Sequence, residues 1–244
     1  MRGRNRLFLV LLGMMQVPAN AQMSVDFSSV GSSVAGITTP VILNPCTRGG
    51  CTVQHSRSDN NRGTAPPRVE AGQRVRAIYL PTDALARETL AGYVGRIAKK
   101  DPAVARQIAA QLTSHDYRKI YEGLIADSGL RANDAIDTIT AYTILGWAIS
   151  TNTLQGIDNA AAANVRAQVA SRFSRDPRLM AAGVAARLSE ELKLQYVVLQ
   201  SGWQSSKKEG NMPAFSDGVA ALFRAQSGQD LRSLKLTSDG FVTR

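Results

Sequence analysis

Few side chains in this sequence are of a type that does covalent or acid–base chemistry. The 244 residues hold two histidines, His55 and His115, and two cysteines, Cys46 and Cys51. Cys46, Cys51 and His55 form C-x4-C-x3-H, which offers three metal ligands. A structural zinc site asks for four, and no further cysteine or nearby histidine exists. A thiol oxidoreductase would carry C-x-x-C at a helix start, whereas Thr47, Arg48, Gly49 and Gly50 make this a glycine-rich loop. In an oxidising compartment two cysteines this close are expected to form a local disulfide. So small a loop contributes roughly 2 kcal/mol, and only to local order.

No H-E-x-x-H, G-x-S-x-G, phosphate-binding glycine loop or calcium loop is present. Carboxylate chemistry, as in helical peptidoglycan-cleaving enzymes, would need a Glu or Asp in a cleft, and Glu122, Asp134 and Asp137 are candidates for it by position only. Asp134 and Asp137 are explained at least as well as negative charge in the positive first turn of a helix. His115, beside Asp116 and Tyr117, could act as a base, but a lone histidine before a helix is more often a capping or surface residue. Trp147 and Trp203 could line a sugar or lipid groove, yet both sit on apolar stripes that suit a core. No catalytic, metal-binding or cofactor-binding residue is assigned on this basis.

The element that must position these groups is the stretch Gly129 to Ser150, GLRANDAIDTITAYTILGWAIS. Asn133 is a suitable N-cap, Asp134 and Asp137 follow in the first turn, and Ile136, Ile139, Thr143 and Trp147 recur at helical spacing. From Ile139 onward Ala141, Tyr142, Ile144, Leu145, Ala148 and Ile149 fill the positions that a surface helix gives to charges. Such a helix is buried on all sides. The run is too short to span a membrane.

Other helices are punctuated around it. Thr82 caps a run with Leu85, Leu90, Tyr93, Val94 and Ile97 inward, and Asp101-Pro102 opens a second with Val104, Ile108 and Leu112. A third follows Asp116, with Tyr117, Ile120, Tyr121, Leu124 and Ile125 on one face, closed by Gly129. Val165, Val169 and Phe173 mark a fourth, beyond the central helix, and Asp176-Pro177 repeats the earlier start signal. The resemblance between RIAKKDPAVARQIAAQL and SRFSRDPRLMAAGVAARL is read as shared helix grammar, not duplication. A run that can restart at Ser189, with Glu190 and Glu191 in its first turn, carries Leu188, Leu192, Tyr196, Leu199 and Trp203 on one stripe. Pro213 opens a last helix with Phe215, Val219, Leu222 and Phe223, ended by Gly228. The tail alternates Leu234 and Leu236 before a Ser238-Asp239-Gly240 turn, giving an extended segment docked by Phe241.

Ahead of this unit, Arg2, Arg4 and Arg6, an apolar core from Leu7 to Val17, and Ala19-Asn20-Ala21 read as a secretory signal peptide cleaved after Ala21. Gln22 follows, so the lipid-modified cysteine of a lipoprotein is absent. Export to the periplasm or beyond argues against cytoplasmic nucleotide chemistry and against nucleic acid as a partner.

The whole chain carries 29 Lys and Arg against 19 Asp and Glu, a net charge of +10, and loss of the signal's three arginines leaves +7. Residues 48–76 hold +4 of this through Arg48, Arg57, Arg62, Arg68, Arg74 and Arg76 against Asp59 and Glu70. That run can meet an acidic surface such as anionic lipid, lipopolysaccharide or nucleic acid, or it can simply keep an unstructured segment soluble; given export, an anionic envelope component or another periplasmic protein is the expected partner. Residues 22–76 are expected to be a mobile segment, ending in a disordered basic linker, and residues 77–244 one folded unit. At that size it buries roughly 70% of the unfolded chain's surface without disulfide or metal.

This order of features resembles an uncharacterised family of exported bacterial helical proteins, a domain of unknown function. The resemblance runs from about Tyr79 to Val242. It rests on Gly129, Leu130, Arg131, Asn133, Asp134, Asp137, Tyr142 and Trp147, and on Leu236, Thr237, Gly240 and Phe241. It implies export and an all-helical domain, and no particular activity. The expectation is an all-α, single-domain helical bundle around a central buried helix, acting as a binding module of the bacterial envelope. The competing expectations are a carboxylate-dependent envelope hydrolase and a subunit of an exported assembly.

Overall fold

The structure, a computed structural model, describes residues 75–153 and 159–244. The segment expected to be a signal peptide, and Cys46, Cys51, Arg48, Arg57, Arg62, Arg68 and Arg74, lie outside the described residues.

Helices begin where a side chain can accept from the free N–H groups of a first turn. Thr82 accepts from Leu85 at the head of α1 (Asp83–Ala98), and Asp101 from Ala103 and Val104 at the head of α2 (Pro102–Ser114). Asp116 accepts from Arg118 before α3 (Tyr117–Ile125). The N-cap of α4 (Ala135–Ser150) is Asp134, which accepts from Ile136, and not Asn133. The side chain of Asn133 accepts instead from Lys193 Nζ at 3.0 Å, and its carbonyl accepts from Tyr79 N.

Beyond α5 (Asn159–Phe173) the sequence reading fails locally. Asp176-Pro177 opens only turns, because Gly183 six residues later sits at φ +73°, a conformation that no right-handed helix continues through. Gly183 is instead the N-cap of α6 (Val184–Glu209), which runs without a break past Ser189. Pro213 lies in the first turn of α7 (Met212–Ser227), and Gly228 at φ +70° ends it. A short 3-10 turn (Leu231–Ser233) leads into β1 (Leu234–Thr237) and β2 (Gly240–Thr243), an antiparallel hairpin with Leu236 opposite Phe241.

All sixteen residues of α4 are buried, so the expectation of a helix enclosed on all sides from Ile139 onward holds, and the burial reaches back through the charged Asp137 to Ala135. It packs against α5, α6 and α7 and touches the 3-10 turn. The larger core lies between α4, α5, α6, α7 and the hairpin, and includes Ile149, Val165, Phe223, Leu234 and Phe241. A smaller core sets α1, α2 and α3 against the opposite side through Tyr93, Ile97, Tyr121, Ile125, Ala141 and Leu194. The architecture is therefore an all-α bundle with α4 and α6 at its centre. Leu124, expected to face inward, is 37% exposed at the outer side of α3.

Two glycines are dictated by space. A Cβ on Gly146 of α4 would come within 2.2 Å of the Phe223 ring, so α4 and α7 can approach only over bare backbone. Gly240, at φ +95°, turns the hairpin and lies against Gln168 of α5. No helix among the described residues is long and apolar enough to cross a membrane.

Candidate functional site

Asn133, Asp134 and Asp137, three of the residues singled out by the sequence, lie where the chain enters the folded unit. Val75 to Tyr79 form an extended strap laid across the N-terminal end of α4. Ala135 N donates to Ala77 O at 3.0 Å and Tyr79 N to Asn133 O at 3.1 Å, around an antiparallel bridge between Ile78 and Asp134. Two buried charge clusters hold the strap from beneath.

The first is built on Asp134 and Asp137, one helical turn apart and both buried. Asp134 Oδ1 accepts from Ile136 N at 3.0 Å and from Ala77 N at 3.4 Å, and its Oδ2 lies 3.3 Å from Arg166 Nη2. Asp137 Oδ1 accepts from Arg166 Nε, while its Oδ2 accepts from Arg131 N at 2.9 Å and Arg131 Nε at 3.0 Å. Arg166, projecting from α5, also donates to Val75 O at 3.0 Å and so ties strap, α4 and α5 together. All four carboxylate oxygens are engaged, three of them by a guanidinium. A carboxylate so held by guanidinium and backbone donors serves as an anchor between elements.

The second cluster comes from α6, where Leu188 to Gln195 are buried without interruption. Glu190 Oε1 accepts from Tyr79 Oη at 2.5 Å and from Lys193 Nζ at 2.7 Å, and Oε2 accepts from Tyr117 Oη at 2.6 Å. The Lys193 ammonium stands 5.0 Å from the centre of the Tyr79 ring. Burial pushes Lys193 below the usual lysine range, and the bond to Glu190 works against that shift. Burial and then the bond to Glu190 push the phenols of Tyr79 and Tyr117 up. Both therefore stay protonated and act as donors.

Deeper in the bundle, Glu191 pairs with Arg96 of α1 and accepts from Gln195 Nε2 at 3.2 Å. Tyr142 Oη donates to Gln195 Oε1 at 2.8 Å, and its ring stacks on Phe223 at 4.9 Å. Trp147 Nε1 donates to Leu234 O at 3.2 Å, with its ring 5.8 Å from that of Phe241. The motif on α4 and the motif in the tail thus meet in one contact.

The other sequence candidates are placed apart. Glu122 is exposed on α3, and His115 ends α2 with its Nδ1 3.3 Å from Gln111 O. Trp203 is buried in the larger core, with Lys207 Nζ 4.0 Å from its ring centre. Among the described residues no group of three histidine, cysteine or acidic side chains is placed to hold a metal ion.

Arg166 and Lys193 were missed by sequence reading, and Glu190 and Glu191 were read only as first-turn acids. The available signal was charge interrupting an apolar stripe, as Glu190, Glu191 and Lys193 do between Leu188, Leu192 and Leu194. Compared with known proteins, the chain matches no family model, no curated protein and no solved structure.

Proposed function

We propose that this is an exported, non-enzymatic binding module of the bacterial envelope, with the helical unit as scaffold and the basic segment before the strap as the contact to an anionic envelope component. It belongs in this reading to the family of exported helical proteins that its motifs resemble. The signal sequence is cleaved after Ala21, the product is periplasmic or secreted, and Cys46 and Cys51 close a local disulfide.

The observation that supports a scaffold is the engagement of Asp134 and Asp137. These two of the three carboxylates that the sequence offered by position are bound by Arg131, Arg166 and backbone N–H groups. The support for an anionic contact is the +4 charge of residues 48–76, ending at the exposed Arg76.

Flotation of the secreted full-length protein with phosphatidylglycerol vesicles tests the reading. Binding should be strong at low salt, fall steeply as salt rises, and be absent with phosphatidylcholine. Failure to bind anionic vesicles or lipopolysaccharide at any salt concentration would overturn it. Intact mass of the same sample should match the chain from Gln22, lighter by two hydrogens for the closed disulfide.

A further inference from the structure

The strap has a second edge. In the bridge to Asp134 the bonds are made by Ala77 O and Tyr79 N, so the N–H and C=O of Ile78 point to the opposite side. No hydrogen bond among the described residues uses either of them. The side chains alternate as a strand requires: Val75, Ala77 and Tyr79 are half-buried, while Arg76, Ile78 and Leu80 are exposed. Ile78 is 61% and Leu80 83% exposed, two of only four large hydrophobic side chains so placed among the described residues. The strap itself is fixed beneath by Asp134, Arg166 and Glu190. A rigid extended segment with open backbone groups and outward apolar side chains is a template for strand addition.

Charge selects the occupant. Arg76 lies on the outer row, and residues 48–76 before the edge carry +4, as does the folded unit of residues 77–244. A second copy would bring a chain of the same positive sign to this edge, +4 in residues 48–76 and +4 in residues 77–244, whereas an acidic strand would neutralise Arg76 and the charge around it. The geometry points to an extended, acidic segment of a partner protein that adds as a strand to the outer edge of residues 76–80. This rests on the binding-module reading and names a protein partner within it.

The test is selection of a phage-displayed library of random dodecapeptides on the full-length secreted protein, with and without Ile78→Pro. Proline removes the one outward N–H at the centre of the edge and leaves the inward bonds at Ala77 and Tyr79 intact. Enriched sequences should alternate β-branched with acidic residues. Their synthetic forms should bind Ile78→Pro on the order of tenfold more weakly, as expected for one lost backbone donor. Arg76→Glu should also weaken them, and Ile78→Thr, which keeps the backbone donor, should retain most of the binding.

No enrichment, or enrichment indifferent to Ile78→Pro, overturns the inference. Weakening by Arg76→Glu without weakening by Ile78→Pro reduces the contact to plain charge attraction and overturns strand addition. Self-association of the free protein that Ile78→Pro abolishes would assign the edge to a second copy and overturn the acidic partner. Anionic vesicle binding that persists when no peptide is enriched would sink this inference alone. Loss of both would sink the binding-module reading with it.

Discussion

Arg166 is the side chain on which the entrance to the domain depends. It neutralises Asp134 and Asp137, both removed from water, and holds Val75 of the strap. Arg166→Met fills similar space but leaves buried carboxylates with only Arg131, itself partly exposed, as a counter-ion. Thermal or urea unfolding should show a loss of about 3–5 kcal/mol, and a loss under 1 kcal/mol would show that the carboxylates are solvated. At this scale the sequence was half legible. Asp134 and Asp137 stood out because a first turn favours acids, and their local role is what spacing reports. Their partner was not legible, since Arg166 lies 29 residues beyond Asp137 and an arginine in an alanine-rich helix normally faces solvent. Tyr79 and Glu190 are 111 residues apart, and nothing local in either segment announces the bond.

Among the elements, α4 and α7 are set by a missing side chain. Gly146→Ala would push a methyl into the Phe223 ring, which is also stacked on Tyr142, so the ring has little room to move. The expected cost is about 1–3 kcal/mol in urea unfolding. Gly95→Ala, in α1 with nothing within 4 Å of the added atom, should do the opposite and stabilise by about 0.5–1 kcal/mol. If both substitutions behave alike, the close approach of α4 and α7 is wrong. Caps made most elements readable: Thr82, Asp101, Asp116 and Gly228 each sit where the sequence signal put them. The reading broke down around α6. Asp176-Pro177 looks like a helix start, but the backbone of Gly183 overrules it. Glu190 and Glu191 read as the first turn of a helix restarting at Ser189, yet they are interior charges satisfied by Lys193, two tyrosines and Arg96.

The molecule as a whole shelters its phenols. All six tyrosines are pushed above their ordinary value of 10.0, in each case first by burial, Tyr196 to about 12. The unfolded chain sheds these protons above pH 10 and the folded one keeps them. Their contribution to stability is therefore complete below pH 10 and is lost as pH rises beyond it. Tyrosinate absorbance should stay low through pH 10 and then rise together with loss of helical ellipticity. A gradual rise centred on pH 10 with the helices intact would contradict the burial of these rings. The bundle and its central helix were legible in the sequence because an uncharged helix has to be enclosed. The strap was not, because an extended segment that gains its bonds from distant side chains has no period of its own. The same enclosure bears on timing. Phe241 and Leu234 are wholly buried against the helix centred on residues 135–150. A chain delivered from its N-terminus cannot close that core until residues 234–241 have arrived, so the helix made early stays unenclosed until then.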